Sequence, residues 1–356
     1  MSISDHPTGP IHRELKIGGR LVRTTAAFDT YWRFASARQE VFFNRIAQKQ
    51  PPWTTDPIIA AHRFTNVYRA ADRVSQYLIK NVIYDSEQQN VQDVFFRIVL
   101  FKLFNRIETW ETLCRAVGGI SWRTYDFHAY NHCLDKLFQS GGRVYSAAYI
   151  MPSPSFSETR KHANHLRLIE HMMADGAPRK VAAAKSLADV FRLLRGYNSL
   201  GDFLAFQLAI DLNYSPLIDF SEMEFIVAGP GARDGISKCF TGLAGIPAED
   251  VIRFMAEHAD LEFNRLGLSF ATLWGRPLQL IDCQNIFCEL SKYARVAHPE
   301  IEGVTGRTRI KQKFRPLQHS LPQMYPPKWG INDRIGVGVR ADAPRSRQQA
   351  FDFAMT

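Results

Sequence analysis

The cysteine patterns that stabilise small or metal-bound folds are absent from this sequence. Its five cysteines form no C-x-x-C pair and no cysteine–histidine spacing typical of a zinc site. Reduced thiols are therefore expected, with no disulfide framework, no metal ligand set and no bound cofactor.

Long apolar runs are also missing. The longest candidate, residues 94–104, is interrupted by Arg97 and Lys102 and is shorter than the roughly 18 residues that a membrane span needs. The N-terminus has no charged-then-apolar signal pattern. We interpret the run as a buried helix and expect an intracellular, cytoplasmic protein with no membrane partner.

Several catalytic motifs are absent as well. A P-loop needs G-x-x-x-x-G-K-[ST], and residues 229–235 do not meet that spacing, since Lys238 lies three residues past Gly235. ATP-dependent phosphoryl transfer of that type is therefore not expected of these residues. No H-E-x-x-H, G-x-S-x-G or dinucleotide-binding pattern occurs either.

Strand signals are sparse, whereas helical periodicity is widespread. Hydrophobic residues make up 46% of the chain and recur near helical spacing in segments such as residues 26–48. The pattern predicts an all-α domain over residues 24–298. It is flanked by an irregular N-terminal arm, residues 1–23, and a basic C-terminal extension, residues 299–356.

The charge balance points to a polyanionic partner. The formal net charge is +9, and much of the excess lies beyond residue 300, which suggests nucleic acid or an anionic substrate. A basic arm lying along nucleic acid and a solvated tail both explain this excess, and the sequence leaves both open.

Residues 67–78 place apolar side chains at helical steps, which predicts a helix with Thr65 or Asn66 as a candidate cap. Arg69 and Arg73 share another face of that helix. This face is either a solvated charged surface or, together with Arg63, a surface that binds phosphate.

The Gly-rich stretch at residues 229–235 predicts a tight turn that exposes backbone N–H groups at a helix start. Gly229, Gly231 and Gly235 would allow the turn, while Arg233 and Lys238 would add positive charge near a phosphate. The alternative is a turn that binds no ligand.

Asp282 lies among apolar residues at a predicted helix start, and Asn285 and Glu289 follow on the same stripe. A desolvated carboxylate in this setting could act as a general base or could simply cap the helix. Gln207 and Asp211, one turn apart on an otherwise apolar helix, are candidates for a supporting role around that site.

Four segments in order resemble a known family: residues 63–69 (RFTNVYR), 96–105 (FRIVLFKLFN), 229–236 (GPGARDGI) and 281–289 (IDCQNIFCE). They resemble the helical domain of 5-hydroxymethyldeoxyuridine DNA kinases. The same domain occurs in alpha-glutamyl/putrescinyl-thymine pyrophosphorylases, also described as amino acid:DNA transferases. The resemblance spans about residues 25–300.

The resemblance implies a divergent helix–hairpin–helix DNA glycosylase fold, with residues 229–235 as the DNA-gripping hairpin and Asp282 as the glycosylase aspartate. The sequence departs from ordinary glycosylases in a longer hairpin-to-aspartate gap and in the lack of a clear catalytic lysine in the hairpin. The kinase domain of some relatives is missing from these residues.

The implied function is transfer of an amino acid or polyamine onto pyrophosphorylated 5-hydroxymethyluracil in DNA, with release of pyrophosphate. Asp282, Asn285 and Glu289 would be catalytic, and the cations named above would bind phosphate. The implied partners are DNA carrying modified pyrimidines, a small amine and a hydroxymethyluracil DNA kinase. Two alternatives remain open: a glycosylase acting on modified pyrimidines, and a non-catalytic DNA-binding module.

Overall fold

The computed structural model describes residues 12–85, 90–316 and 322–336. Over these residues the chain is mostly helical, which confirms the all-α prediction. The helices, in chain order, are α1 (Ala26–Ile46), α2 (Pro57–Ala61), α3 (Arg73–Tyr77), α4 (Val91–Phe104), α5 (Ile107–Val117), α6 (Phe127–Gln139), α7 (Lys161–Ala174), α8 (Ala177–Ala182), α9 (Leu187–Arg195), α10 (Asp202–Asn213), α11 (Pro230–Cys239), α12 (Ala248–Glu257), α13 (Ala259–Arg265) and α14 (Leu280–Ala297).

The predicted buried helix at residues 94–104 is confirmed as part of α4. Asn90 caps its start, because its side chain accepts the backbone N–H of Asp93, and nearly every later residue of the helix is buried. Helix α10 is similarly buried along most of its length. Because both helices are apolar nearly all round, they occupy the interior rather than the surface.

Residues 14–24 of the expected irregular N-terminal arm form an ordered β-hairpin instead. Strands β1 (Glu14–Ile17) and β2 (Arg20–Thr24) are antiparallel, and β2 also pairs with β3 (Phe240–Thr241). Gly18 and Gly19 make the turn with φ of 56° and 79°, values that glycine adopts at little cost. The strands are too short for their alternation to be distinguished in the sequence.

The Gly-rich stretch is helical, which corrects the prediction of a tight turn. Gly229 has φ of −75° at the N-cap, and α11 begins at Pro230. A Cβ at Gly235 would lie 2.2 Å from the carbonyl oxygen of Phe287, and one at Gly231 would lie 3.0 Å from Sγ of Cys288. These two glycines therefore permit the close packing of α11 against α14.

The predicted continuous helix over residues 67–78 is also corrected. Residues 63–68 are extended or bent, a single 3-10 turn spans Arg69–Ala71, α3 begins only at Arg73, and a π-helix follows at Leu78–Ile83. The reason is that Asp282, Asn285 and Glu289 of α14 hydrogen-bond backbone groups of residues 65, 66 and 69. A helix would have paired these groups internally.

The described residues of the C-terminal extension, 299–316 and 322–336, contact the helical body as irregular chain and include the 3-10 turns Pro327–Trp329 and Asn332–Arg334. Its first part is fixed by Asp234, whose carboxylate accepts both the backbone N–H and the hydroxyl of Thr305 at 2.8 Å. In its last part the Tyr325 side chain is fully buried. Within the described ranges, no helix is long and apolar enough to cross a membrane.

Candidate functional site

Three side chains of α14 hold the segment of residues 65–69 through its backbone. Asp282 Oδ1 accepts the N–H of Arg69 at 2.9 Å, and Asn285 Nδ2 donates to the carbonyl of Asn66 at 2.6 Å. Glu289 Oε2 accepts the N–H of Thr65 at 3.0 Å. The predicted stripe therefore exists, and in this structure its polar groups face a protein segment.

Asp282, the first residue of that stripe, has a raised pKa. It occupies the third position of α14 and forms a capping box with Gln279, whose N–H lies 3.1 Å from Asp282 Oδ2. The side chain is only 4% exposed. Burial raises the pKa of Asp282 to about 7, and the negative charge of Glu222 adds to the rise. The carboxyl can therefore exchange a proton near neutral pH.

Glu222, which the sequence did not point to, is the second carboxylate of this cluster. It is buried in the loop after α10, and burial raises its pKa. Its Oε2 lies 3.3 Å from Nη2 of Arg276. Among the described residues its Oε1 has no hydrogen-bond partner, which is costly for a buried oxygen.

Arg69 connects the clamped segment to the core. Its guanidinium lies 2.6 Å from Asp211 and 2.9 Å from Gln207, and it also donates to the hydroxyl of Tyr214 at 3.1 Å. Gln207 and Asp211 thus contact Arg69, whose backbone holds Asp282. With its donors committed inside the protein, this guanidinium is not placed to bind an external phosphate in this structure.

The Nζ of Lys102 lies 2.8 Å from Oδ2 of Asp211, and Lys102 is only 2% exposed. Its Nζ lies 4.6 Å from the ring centroid of Tyr149. In the sequence, Lys102 is recognisable only as a cation within an otherwise apolar helix. A buried cation requires a partner of opposite charge.

Residues 325–329 of the C-terminal extension pack beside Arg276, the partner of Glu222. The Trp329 ring lies 3.8 Å from the Arg276 guanidinium and 5.6 Å from the Tyr214 ring. Burial raises the pKa of Tyr325, and the charges of Asp72 and then Asp282 add to the rise. Three surface cavities lie near the N-terminal hairpin, the α4 start and the α6–α7 junction, and Asp282 lines none of them.

The remaining predicted phosphate-binding residues divide into exposed and internal groups. Arg63, Arg73 and Arg233 are exposed, and Arg233 pairs with Glu249 at 3.2 Å. Lys238 is 2% exposed, and Asn66 binds Arg38 and the backbone of Ala71. The Gly229 N–H donates to Gln284 at 3.0 Å, so the start of α11 is partly satisfied by the protein itself.

Chemically, the buried cluster combines a carboxyl whose pKa is raised to about 7, a second carboxylate and the guanidiniums of Arg69 and Arg276. Such a set can accept a proton from a nucleophile and stabilise developing charge. The described residues include no group of three or more His, Cys, Asp or Glu side chains arranged to hold a metal ion.

Comparison with known proteins gives two matches. The family model described as 5-hmdU DNA kinase, helical domain, matches residues 25–303. A relative from Bacillus phage SP10 named 5-hmdU DNA kinase is 27% identical over 287 residues, which are 75% of this chain and 44% of the relative. No solved structure matches significantly. Because the family model covers most of the chain, this protein belongs to the family of the 5-hmdU DNA kinase helical domain.

Proposed function

We propose that this protein modifies 5-hydroxymethyluracil in DNA, and that its reaction is amine transfer onto the pyrophosphorylated base. The base is flipped out of the duplex, a bond forms between the amine nitrogen and the exocyclic methylene carbon, and the bond from that carbon to the pyrophosphate oxygen breaks. The amine loses a proton to a carboxylate, and pyrophosphate leaves with the bonding electron pair.

Family membership supports the DNA base as substrate, because the matched relative is named for 5-hmdU in DNA. The match covers less than half of that relative's length. The residues of this chain contain no P-loop, so the step assigned to them is transfer of an amine rather than phosphoryl transfer from ATP.

The observation that carries the choice of reaction is the pKa of Asp282, raised by burial and by Glu222 to about 7. A general base is most effective when its pKa lies near the working pH. Asp282 would take the amine proton, while Glu222 would keep that pKa high and Arg276 would balance the pair.

Asp282 is buried, and the Trp329 ring lies against Arg276, which pairs with Glu222. Access to Asp282 would therefore require a movement of side chains such as those of residues 325–329. Arg63 and Arg73 are exposed on either side of the clamped segment and would bind the departing pyrophosphate. Arg69 and Lys238, which are buried, would act only through the protein scaffold.

The test is incubation with duplex DNA containing pyrophosphorylated 5-hydroxymethyluracil and a panel of amino acids and polyamines, followed by digestion and mass spectrometry of the nucleosides. We expect an amine adduct and released pyrophosphate. Asp282→Asn should lower the rate by about 100-fold or more, as loss of a general base does.

Asp93→Asn is the matched control, because Asp93 is also a buried third-position aspartate that holds a distant backbone N–H. The Asp93→Asn variant should transfer the amine at the same rate as the protein without a substitution. Free base with an abasic site would instead identify a glycosylase. Binding of modified DNA without turnover, unaffected by Asp282→Asn, would identify a binding module.

A further inference from the structure

The C-terminal extension contains a row of cations at alternate positions. Residues 307–315, here called the basic strap, carry Arg307, Arg309, Lys311, Lys313 and Arg315, and all five are exposed. No acidic residue occurs between positions 303 and 316. Alternate side chains of strand-like chain point to the same side, and Lys313 pairs with His62 in an antiparallel bridge, so we expect neighbouring cations of the strap to lie on one side.

The backbone of the basic strap is fixed to the helical body. The N–H of Arg63 donates to the carbonyl of Gln312, and the N–H of Phe314 donates to the carbonyl of Ala61, both at 3.1 Å. Arg295 Nη1 donates to the carbonyl of Arg309, also at 3.1 Å. The cations are therefore presented from a backbone that is held at residues 309, 312 and 314 rather than from a free tail.

The apolar side chains of the basic strap provide a second anchor. Ile310 packs partly buried against the core, and the Phe314 ring lies 6.4 Å from the ring of Trp53. Because these residues alternate with the cations, one side of the strap contacts the protein and the other carries the charge.

The five charges are not balanced by the described part of the protein. None of the five forms an ion pair with a described carboxylate of the kind that joins Arg192 to Asp189 and Arg195 to Asp202. The exposed Arg63 adjoins the strap. Like charges held in a row repel one another, and a polyanion relieves that repulsion.

We propose that the basic strap binds the phosphate backbone of duplex DNA. Five cations at alternate residues, about 6.6 Å apart, span about 26 Å, which corresponds to roughly eight base pairs. The proposal rests on the proposed function for the identity of DNA as partner. It assigns backbone binding to the strap rather than to the start of α11.

The test measures the affinity of the protein for an unmodified DNA duplex by fluorescence anisotropy at several KCl concentrations. Replacing three cations (Arg309→Gln, Lys311→Gln, Lys313→Gln) should weaken binding at least tenfold at low salt. It should also reduce the slope of log K against log salt by about 2.7, since each phosphate contact contributes about 0.9.

The charge-matched control is Arg123→Gln, Arg179→Gln and Lys185→Gln, three exposed cations outside the strap, which should leave the slope unchanged. A second variant (Arg307→Lys, Arg309→Lys, Arg315→Lys) keeps the charges and should keep the slope. It also shows that altered strap side chains are compatible with folding.

An unchanged slope in the folded glutamine variant would overturn the proposal. So would absence of duplex binding by the unaltered protein, or an effect confined to RNA or single-stranded DNA. Because the duplex is unmodified, these outcomes are independent of amine transfer: turnover with an unchanged slope overturns the strap alone, and a reduced slope without turnover overturns only the proposed reaction.

Discussion

Helices α4 and α14 each begin with a buried aspartate at the third position. The pKa of that aspartate is lowered in α4 and raised in α14. Asp93 and Asp282 each occupy the third helical position, each is 4% exposed, and each accepts a backbone N–H from a distant segment. The difference lies in what else surrounds the two carboxylates.

Asp93 is surrounded by donors. Burial acts to raise its pKa, but hydrogen bonds from Asn90, Trp122 and Ser121 outweigh burial and lower the pKa. Asp282 has two backbone donors and a carboxylate neighbour, Glu222, so burial prevails and raises its pKa to about 7. The same local motif therefore carries a carboxyl with a lowered pKa in α4 and one with a raised pKa in α14.

The largest expected effect is on the pH dependence of stability. The folded pKa of Asp282, about 7, lies above the ordinary value of about 3.9, so the folded state binds the extra proton and stability falls as pH rises from about 4 to 7. Its share is on the order of 4 kcal/mol. Between pH 5 and pH 8 about 3 kcal/mol of that share is lost. Asp282→Asn should remove this difference between urea denaturations at the two pH values, and an unaltered pH slope would refute the assignment.

The next largest effect is the free energy of unfolding that is lost at pH 8 when each of the two aspartates is replaced by asparagine. Asp93→Asn should cost about 2 kcal/mol, because charged hydrogen bonds to three donors are lost. Asp282→Asn should cost less, because an unfavourable buried charge disappears with the carboxylate. Equal costs in parallel urea titrations would show that the two helix starts are electrostatically alike.

Removal of the neighbouring carboxylate should have a smaller effect. Glu222→Gln should lower the pKa of Asp282 by about one unit, because a like charge is removed. Carbon-13 NMR titration of the Asp282 carboxyl measures this shift. Glu224→Gln, an exposed change in the same loop, is the control, and an equal shift in both variants would exclude Glu222 as the cause.

The smallest effect concerns Asp93. Ser121→Ala removes its hydroxyl donor, which lies 2.9 Å from Oδ1, and should raise the pKa of Asp93 while costing about 1 kcal/mol at neutral pH. Since the charged form of Asp93 stabilises the fold above the ordinary pKa, unaltered protein should lose this contribution as pH falls below about 4. Acid titration of both proteins measures the difference, and identical acid midpoints would contradict it.

Much of the helical framework was predictable from the sequence. The period of apolar residues predicted α1 and the buried α4, and the spacing of Asp282, Asn285 and Glu289 predicted their common face. The N-terminal hairpin and the non-helical residues 63–68 were not predictable, because strand pairing and distant side chains decide them.

The site was predictable only in part. Glu222 has no local pattern that distinguishes it from the neighbouring Glu224, and Arg276 comes from a different loop. Lys102 was visible as a cation in an apolar helix, but Asp211, its partner, is more than a hundred residues away. Contacts of that separation leave no trace in the local spacing of a single sequence.

By itself, the sequence determined which segments become helices and which side chains share a helix face, because the period of 3.6 residues is a local property of the backbone. Only the tertiary structure decided what those faces meet. It turned the Gly-rich stretch into a helix contact, directed the α14 stripe onto residues 65–69 and brought Glu222 to Asp282. A carboxyl's pKa depends on its surroundings, and these surroundings come from distant parts of the chain.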